Sequence, residues 1–261
     1  MVSVFDLQGN LKGSVELSDV FTEAVRDDLI RRAVVAENTL KLQPQGHYIL
    51  AGMNTTARYY GTMSSYRSGR HMGIAIRPRQ KLGGGVQGEV RRIPSAVKGK
   101  RAHPHKIEKT LIERMNKREY QKALRSSVAA TANKDYVKVQ MALPLVLSND
   151  IESVKKTKDL MKVINALKLS DDLERSKSPQ IRKGLRRLTT RKRFRKSLLF
   201  VVNEDKGLIR AARNIPGVDA STVRELKANL LAPGGVPGRA TLWSESAIKN
   251  VGAEIEKLSL M

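Results

Sequence analysis

The chain has 261 residues, enough to bury a full hydrophobic core in one large domain or two small ones. Its 49 Lys and Arg against 25 Asp and Glu leave a formal charge of +24 and a pI near 10.5, which points to a polyanionic partner, nucleic acid first. The absence of Cys excludes disulfides and thiolate metal sites. No apolar run approaches the roughly 18 residues of a membrane span. The start MVSVFDLQGNLKGS lacks the features of a signal or transit peptide, so a cytoplasmic location without membrane contact is expected.

The first elements read from the pattern are two short β-prone stretches around the turn Gln8-Gly9-Asn10, a hairpin. Ser18 or Asp19 then caps a helix whose apolar face, with Phe21, Val25, Leu29 and Ala33, runs from about 20 to 41. Between 51 and 106 the periodicity disappears, and Gly and Pro leave no pattern longer than a few residues. Ile107, Leu111 and Met115 form one turn set, and Asn116 with Glu119 has the spacing of a capping box opening a helix to about 133. YVKVQMALPLVLS suits a buried strand broken at Pro144, and Ile151, Val154, Leu160, Val163, Ile164 and Leu167 supply the face of a helix over 150–168. SLLFVV reads as a central parallel strand. A short helix at 206–213, a strand near 218–224, the turn PGGVPG, the strand ATLW and a terminal helix follow. Alternating strands and helices imply an α/β fold with a parallel or mixed sheet covered on both faces. The reading is one α/β domain over 1–261, with a long basic loop over 51–106 and a basic arm over 175–196.

The charge is concentrated. Residues 58–106 hold twelve Lys or Arg and one acid, Glu89, and residues 175–196 hold eleven basic residues and no acid, so these segments carry +22 of the +24. Blocks this one-sided repel themselves and are expected to be unfolded until a polyanion neutralises them. Tyr59, Tyr60 and Tyr66, interleaved with Arg58, Arg67 and Arg70, suit stacking on unpaired bases while holding phosphate. The further phosphate-binding candidates in the loop are Arg77, Arg79, Lys81, Arg91, Arg92, Lys98, Lys100, Arg101, His103, His105 and Lys106. In the arm they are Arg182, Lys183, Arg186, Arg187, Arg191, Lys192, Arg193, Arg195 and Lys196. Phe194 suits packing as well as stacking.

Other motifs carry no chemistry. Gly83, Gly85 and Gly88 match the spacing of a dinucleotide fingerprint but follow no strand pattern and lead to Pro94 and not to a helix. His103-Pro104-His105 cannot close a metal site in a chain with no Cys and two other histidines. No nucleophile elbow appears. No metal, cofactor, small-molecule substrate or catalysis is expected. The alternatives in other classes are an RNA-modifying enzyme, which would need a Gly-rich turn directly after a strand, and a nucleic-acid packaging protein.

Six separated stretches in order resemble one family: RDDLIRRAV at 26–34, SYRSGRHMG at 65–73, IPSAVKGKRAHPHK at 93–106, NKREYQKALRSSVAATA at 116–132, RAARNIPGVD at 210–219 and LAPGGVPGRATLWSESA at 231–247. The chain resembles the ribosomal proteins numbered four of the large subunit, in the archaeal and eukaryotic branch. The resemblance implies a three-layer α/β/α body, a structural role on large-subunit rRNA beside neighbouring ribosomal proteins, and a loop threaded to the wall of the peptide exit tunnel. The loop tip facing the nascent polypeptide would be Tyr66, Arg67, Gly69, Arg70, His71 and Met72, and 93–106 would return along rRNA. A body of 190 residues has a radius of gyration of about 16 Å, and each limb of the loop can reach roughly 80 Å, so such a loop is long enough for that role.

Overall fold

A computed structural model describes residues 2–64, 68, 70–82, 87–139, 141–183 and 190–258, and for 182, 183 and 190–193 the backbone alone. It divides into two compact units, 1–41 with 112–261, and Leu42–Leu111.

In the first unit β1 (Val2–Phe5) and β2 (Leu11–Val15) form the expected hairpin, closed where the Asp6 carbonyl accepts from Gly9 N–H at 3.0 Å. The helix expected over 20–41 is shorter. Asp19–Thr22 is a single 3-10 turn, the chain is extended at Glu23 and Arg26, and α1 covers Asp27–Thr39. The cause is tertiary: Phe21 turns inward to meet Trp243 edge-to-face at 5.3 Å, and Arg26 N–H donates to Ser126 Oγ at 2.6 Å.

The second unit contributes two short strands, β3 (Arg79–Lys81) and β4 (Gln87–Val90), paired antiparallel. Back in the first unit, α2 (Lys117–Ala132) begins at Asn116 as expected, but no side-chain capping bond forms, and Glu119 reaches Arg32 of α1 instead. Strand β5 is only Leu145–Leu147, because its neighbours offer partners only there. The helix expected over 150–168 is a 3-10 turn at Asn149–Ser153 followed by α3 (Thr157–Ala166). Buried Glu152 breaks it, accepting from Asn203 N–H and from the Ser244 and Ser246 hydroxyls at 2.8–3.1 Å.

The arm starts as the last turn of α4 (Ser170–Lys177) and continues as an antiparallel hairpin of β6 (Gln180–Lys183) and β7 (Thr190–Arg193). The unfolded arm read from its charge is therefore an ordered backbone ladder where it is described. A ladder is made of main-chain groups that a charge count does not see. The remaining elements are β8 (Leu199–Val202), α5 (Leu208–Arg213), β9 (Asp219–Thr222), α6 (Ala228–Leu231), β10 (Thr241–Ser244) and α7 (Glu245–Lys257).

The six-stranded sheet has the order β2-β1-β5-β10-β8-β9, antiparallel only at β1–β2. Side chains alternate across it, as strand geometry requires. Val4, Val146, Leu199, Val201 and Trp243 join the core under α1, α2, α6 and α7, while Phe5, Leu145, Leu147, Phe200, Val202 and Leu242 join the core under α3, α4 and α5. Two apolar cores on opposite faces of one mostly parallel sheet make three layers. On the first side Glu37 accepts from Tyr120 Oη at 2.7 Å and from the N–H groups of Ala228 and Asn229 at 2.7 and 3.0 Å, so a buried carboxylate pins α6 to α1 and α2.

Candidate nucleic-acid interface

The 42–111 unit contains the stretch 51–106, read as a loop without regular structure, and is held by backbone approaches and arginines. Gly52, in the left-handed region at φ 79°, lies so close to Gly99 that a Cβ there would collide with the Gly99 carbonyl, and a Cβ on Gly99 would run into the carbonyl of Ile93. A side chain at Gly52 would drive the two limbs apart, and one at Gly99 would break the turn from Ile93 to Gly99. The limbs are also joined where His47 N–H donates to the His105 carbonyl at 3.1 Å and Arg58 N–H to the Arg79 carbonyl at 3.3 Å.

Several predicted phosphate ligands are engaged inside this unit. Arg91 is half-buried, donates to the Val97 carbonyl at 2.6 Å and pairs with Glu89. Arg92, also at a positive φ of 71°, donates to the Ala57 carbonyl at 3.1 Å. Arg79 is half-buried and its Nη2 donates to the Ala75 carbonyl at 3.4 Å, while its Nε has no partner among the described residues. Arg77 donates to Ser95 Oγ at 3.1 Å but remains exposed.

A second group is exposed. Lys98, Lys100, Arg101, His103, His105 and Lys106 present their side chains to solvent, and among the described residues none of these side chains makes an ion pair or hydrogen bond. Arg58, Tyr59 and Tyr60 are exposed together, with Lys81 Nζ 4.0 Å from the centre of the Tyr60 ring. The nearby Lys81, and secondarily Arg58, hold the Tyr60 hydroxyl below its ordinary pKa. Cation, ring and guanidinium on one surface suit a base stacked over a held phosphate.

At the expected tip, Arg70, His71 and Met72 are exposed, His71 in the left-handed region at φ 58°. Tyr66, Arg67 and Gly69 lie outside the described residues, as do Arg186, Arg187, Gly83 and Gly85. A strand, β3, does precede the glycine stretch, and Gly88 stands in β4, which pairs antiparallel with β3, so no helix follows as a dinucleotide fingerprint would need. In the arm, Arg182, Lys183, Arg191, Lys192 and Arg193 stand on β6 and β7, Phe194 is exposed, which removes it from the core, and Arg195 is exposed. Lys196 is engaged: its Nζ donates to both carboxylate oxygens of Asp219 at 2.8 Å.

Sequence reasoning missed Asp219 and Arg239. Arg239, 5% exposed, donates to the carbonyls of Ser197, Leu198 and Leu230 at 2.8 Å and of Gly217 at 3.2 Å, and to Asp219 Oδ2 at 2.7 Å. Burial raises the Asp219 pKa, but the Lys196 hydrogen bond and the Arg239 charge outweigh it and hold the carboxyl below its ordinary value. The signal was an isolated arginine directly ahead of the buried strand TLWS, the only cation between 228 and 248.

Among the described residues no group of His, Asp and Glu could hold a metal ion, and no helix is long and apolar enough to cross a membrane. Fold and surface define a class: a basic three-layer α/β protein whose excess charge lies in residues 58–106 and 175–196. Comparison with known proteins narrows it. Residues 15–254 match the model of the ribosomal protein L4/L1 family. Relatives include the large ribosomal subunit proteins uL4 of Archaeoglobus fulgidus, 40% identical over 95% of this chain and 97% of the relative, and of Methanococcoides burtonii, 42% identical over 95% and 96%. That of Methanococcus maripaludis is 42% identical over 96% and 98%. The chain belongs to the ribosomal protein L4/L1 family, a family of ribosomal proteins and not of enzymes.

Proposed function

We propose that this chain is a structural constituent of the large ribosomal subunit in the cytoplasm, binding large-subunit rRNA through 58–106 and the arm 175–196. The observation that carries this reading is the division of labour in the 42–111 unit: Arg91 and Arg92 donate to the carbonyls of Val97 and Ala57 and half-buried Arg79 to that of Ala75, while Lys98, Lys100, Arg101 and Lys106 are exposed with no counter-charge among the described residues. A fold that stabilises an array of unneutralised cations gains from a polyanion that neutralises it. In assembly the two insertions lock rRNA segments while the α/β body packs beside neighbouring ribosomal proteins. The segment around Arg70, His71 and Met72 would reach the peptide exit tunnel and face the nascent polypeptide. The test is whether the tagged full chain sediments with large subunits, and whether replacing Thr62 to Val90 by a short Gly-Ser linker alters subunit assembly or nascent-chain passage. Sedimentation free of ribosomal particles would refute the assignment, and normal assembly with normal tunnel behaviour would remove the role of the loop.

A further inference from the structure

Both ends of the basic arm are fastened to a single turn of the body. On the entry side, the Ser176 hydroxyl in the last turn of α4 lies 2.7 Å from the Pro216 carbonyl and 2.7 Å from the Leu173 carbonyl of its own helix, and its single proton is shared between them. On the exit side, Ser197 N–H donates to the Gly217 carbonyl at 2.8 Å, and Lys196 holds Asp219. Gly217 lies between the two ends at φ 81°, and a Cβ there would stand 2.5 Å from both the Arg195 carbonyl and the Ser176 Cβ. Arg239 locks the turn from below through the Gly217 carbonyl and Asp219, and it also binds the carbonyls of Ser197 and Leu198, where the arm enters β8.

We infer that Ser176, Gly217, Asp219 and Arg239 form a clamp that sets the direction of the 175–196 arm, so that the arm meets RNA already oriented. These are positioning residues. The inference rests on the proposal that the arm binds rRNA. Two lines of physical reasoning support it. A charge on a freely swinging segment loses orientational entropy on docking, whereas a clamped one has lost it on folding. The clamp also holds a cation of the arm itself, because both carboxylate oxygens of Asp219 accept from Lys196 Nζ at 2.8 Å. If Asp219 did nothing but occupy Lys196, it would lower RNA affinity without return.

This makes the two explanations opposite in sign. Were Asp219 merely a counter-ion, Asp219→Asn would free one more cation for phosphate and tighten RNA binding by up to about eightfold at 0.1 M salt. As a clamp residue it should weaken binding by about three- to tenfold, an effect of lost pre-organisation. Two charge-neutral variants, Ser176→Ala and Gly217→Ala, should also weaken binding while leaving the dependence on salt unchanged. The measurement is the affinity of the full chain for an in vitro transcript of large-subunit rRNA at several salt concentrations, with thermal melting to confirm folding. Hydrogen exchange at the Ser197 amide of the free protein reads the clamp without RNA and should be faster in all three variants. Ser176→Ala is the mildest change and keeps the test open should the other two not fold. Wild-type affinity for folded Ser176→Ala, or tighter binding for Asp219→Asn, would overturn the inference. If a wild-type background lacking 180–193 binds the transcript as well as the intact chain, the RNA role of the arm fails. The exchange data then still report whether the clamp exists.

Discussion

The division between engaged and free cations in the 42–111 unit can be tested by two sets of substitutions compared per charge removed. Lys98, Lys100 and Arg101 changed together to Gln remove three exposed charges whose side chains have no partner among the described residues. If each contacts one phosphate, the log-log slope of affinity against salt should flatten by about 2.7 for duplex RNA and about 2.1 for single strands. Between 50 and 200 mM salt the native protein should then lose about 40-fold more affinity than the triple variant. Arg91→Gln with Arg92→Gln removes two charges, but these guanidinium groups donate to the carbonyls of Val97 and Ala57 and Arg91 pairs with Glu89. That pair should barely change the slope. It should instead loosen the unit, seen as lost protection of the Arg58 and Gly99 amides in hydrogen exchange. Filter binding with an rRNA transcript over five salt concentrations measures the first effect. An equal flattening per charge in both sets would refute the reasoning, because it would mean that Arg91 and Arg92 abandon their carbonyls for phosphate.

Three further outcomes are expected. Gly99→Ala, whose Cβ would meet the carbonyls of Ile93 and Ala96, should open the 42–111 unit and expose it to early tryptic cleavage while leaving the six-stranded body folded. Trp243→Ala, at a fully buried position against Phe21, should cost about 3–5 kcal/mol by cavity formation and lower the melting temperature by roughly 2–4 °C per kcal/mol. Asp219 has a folded pKa below its unfolded one, so its contribution to stability is complete above the ordinary carboxylate value, about 3.9, and is lost as pH falls through the lower folded value. Acid unfolding followed by circular dichroism should therefore show a step below that pH which Asp219→Asn abolishes.

Much of the body was legible in the sequence because its determinants are local. SLLFVV is apolar on both faces and becomes a central parallel strand, and the Gly9 turn makes its hairpin from residues a few positions apart. The excess of positive charge, and its confinement to two stretches, is likewise a property of composition that no fold can alter. Elements whose limits depend on distant partners were not legible. The helix near residue 20 starts late because Ser126 takes the Arg26 amide, and the helix after 150 breaks because Glu152 turns toward Ser244 and Ser246. The same holds for the interface. Arg91 and Lys98 are equally good phosphate ligands on paper, but a side chain's availability is decided by whether a carbonyl or carboxylate from another part of the chain comes within hydrogen-bond reach. Tertiary structure alone ties Arg91 to Val97, leaves Lys98 in solvent, and sets Arg239 beneath Asp219 at the root of the arm.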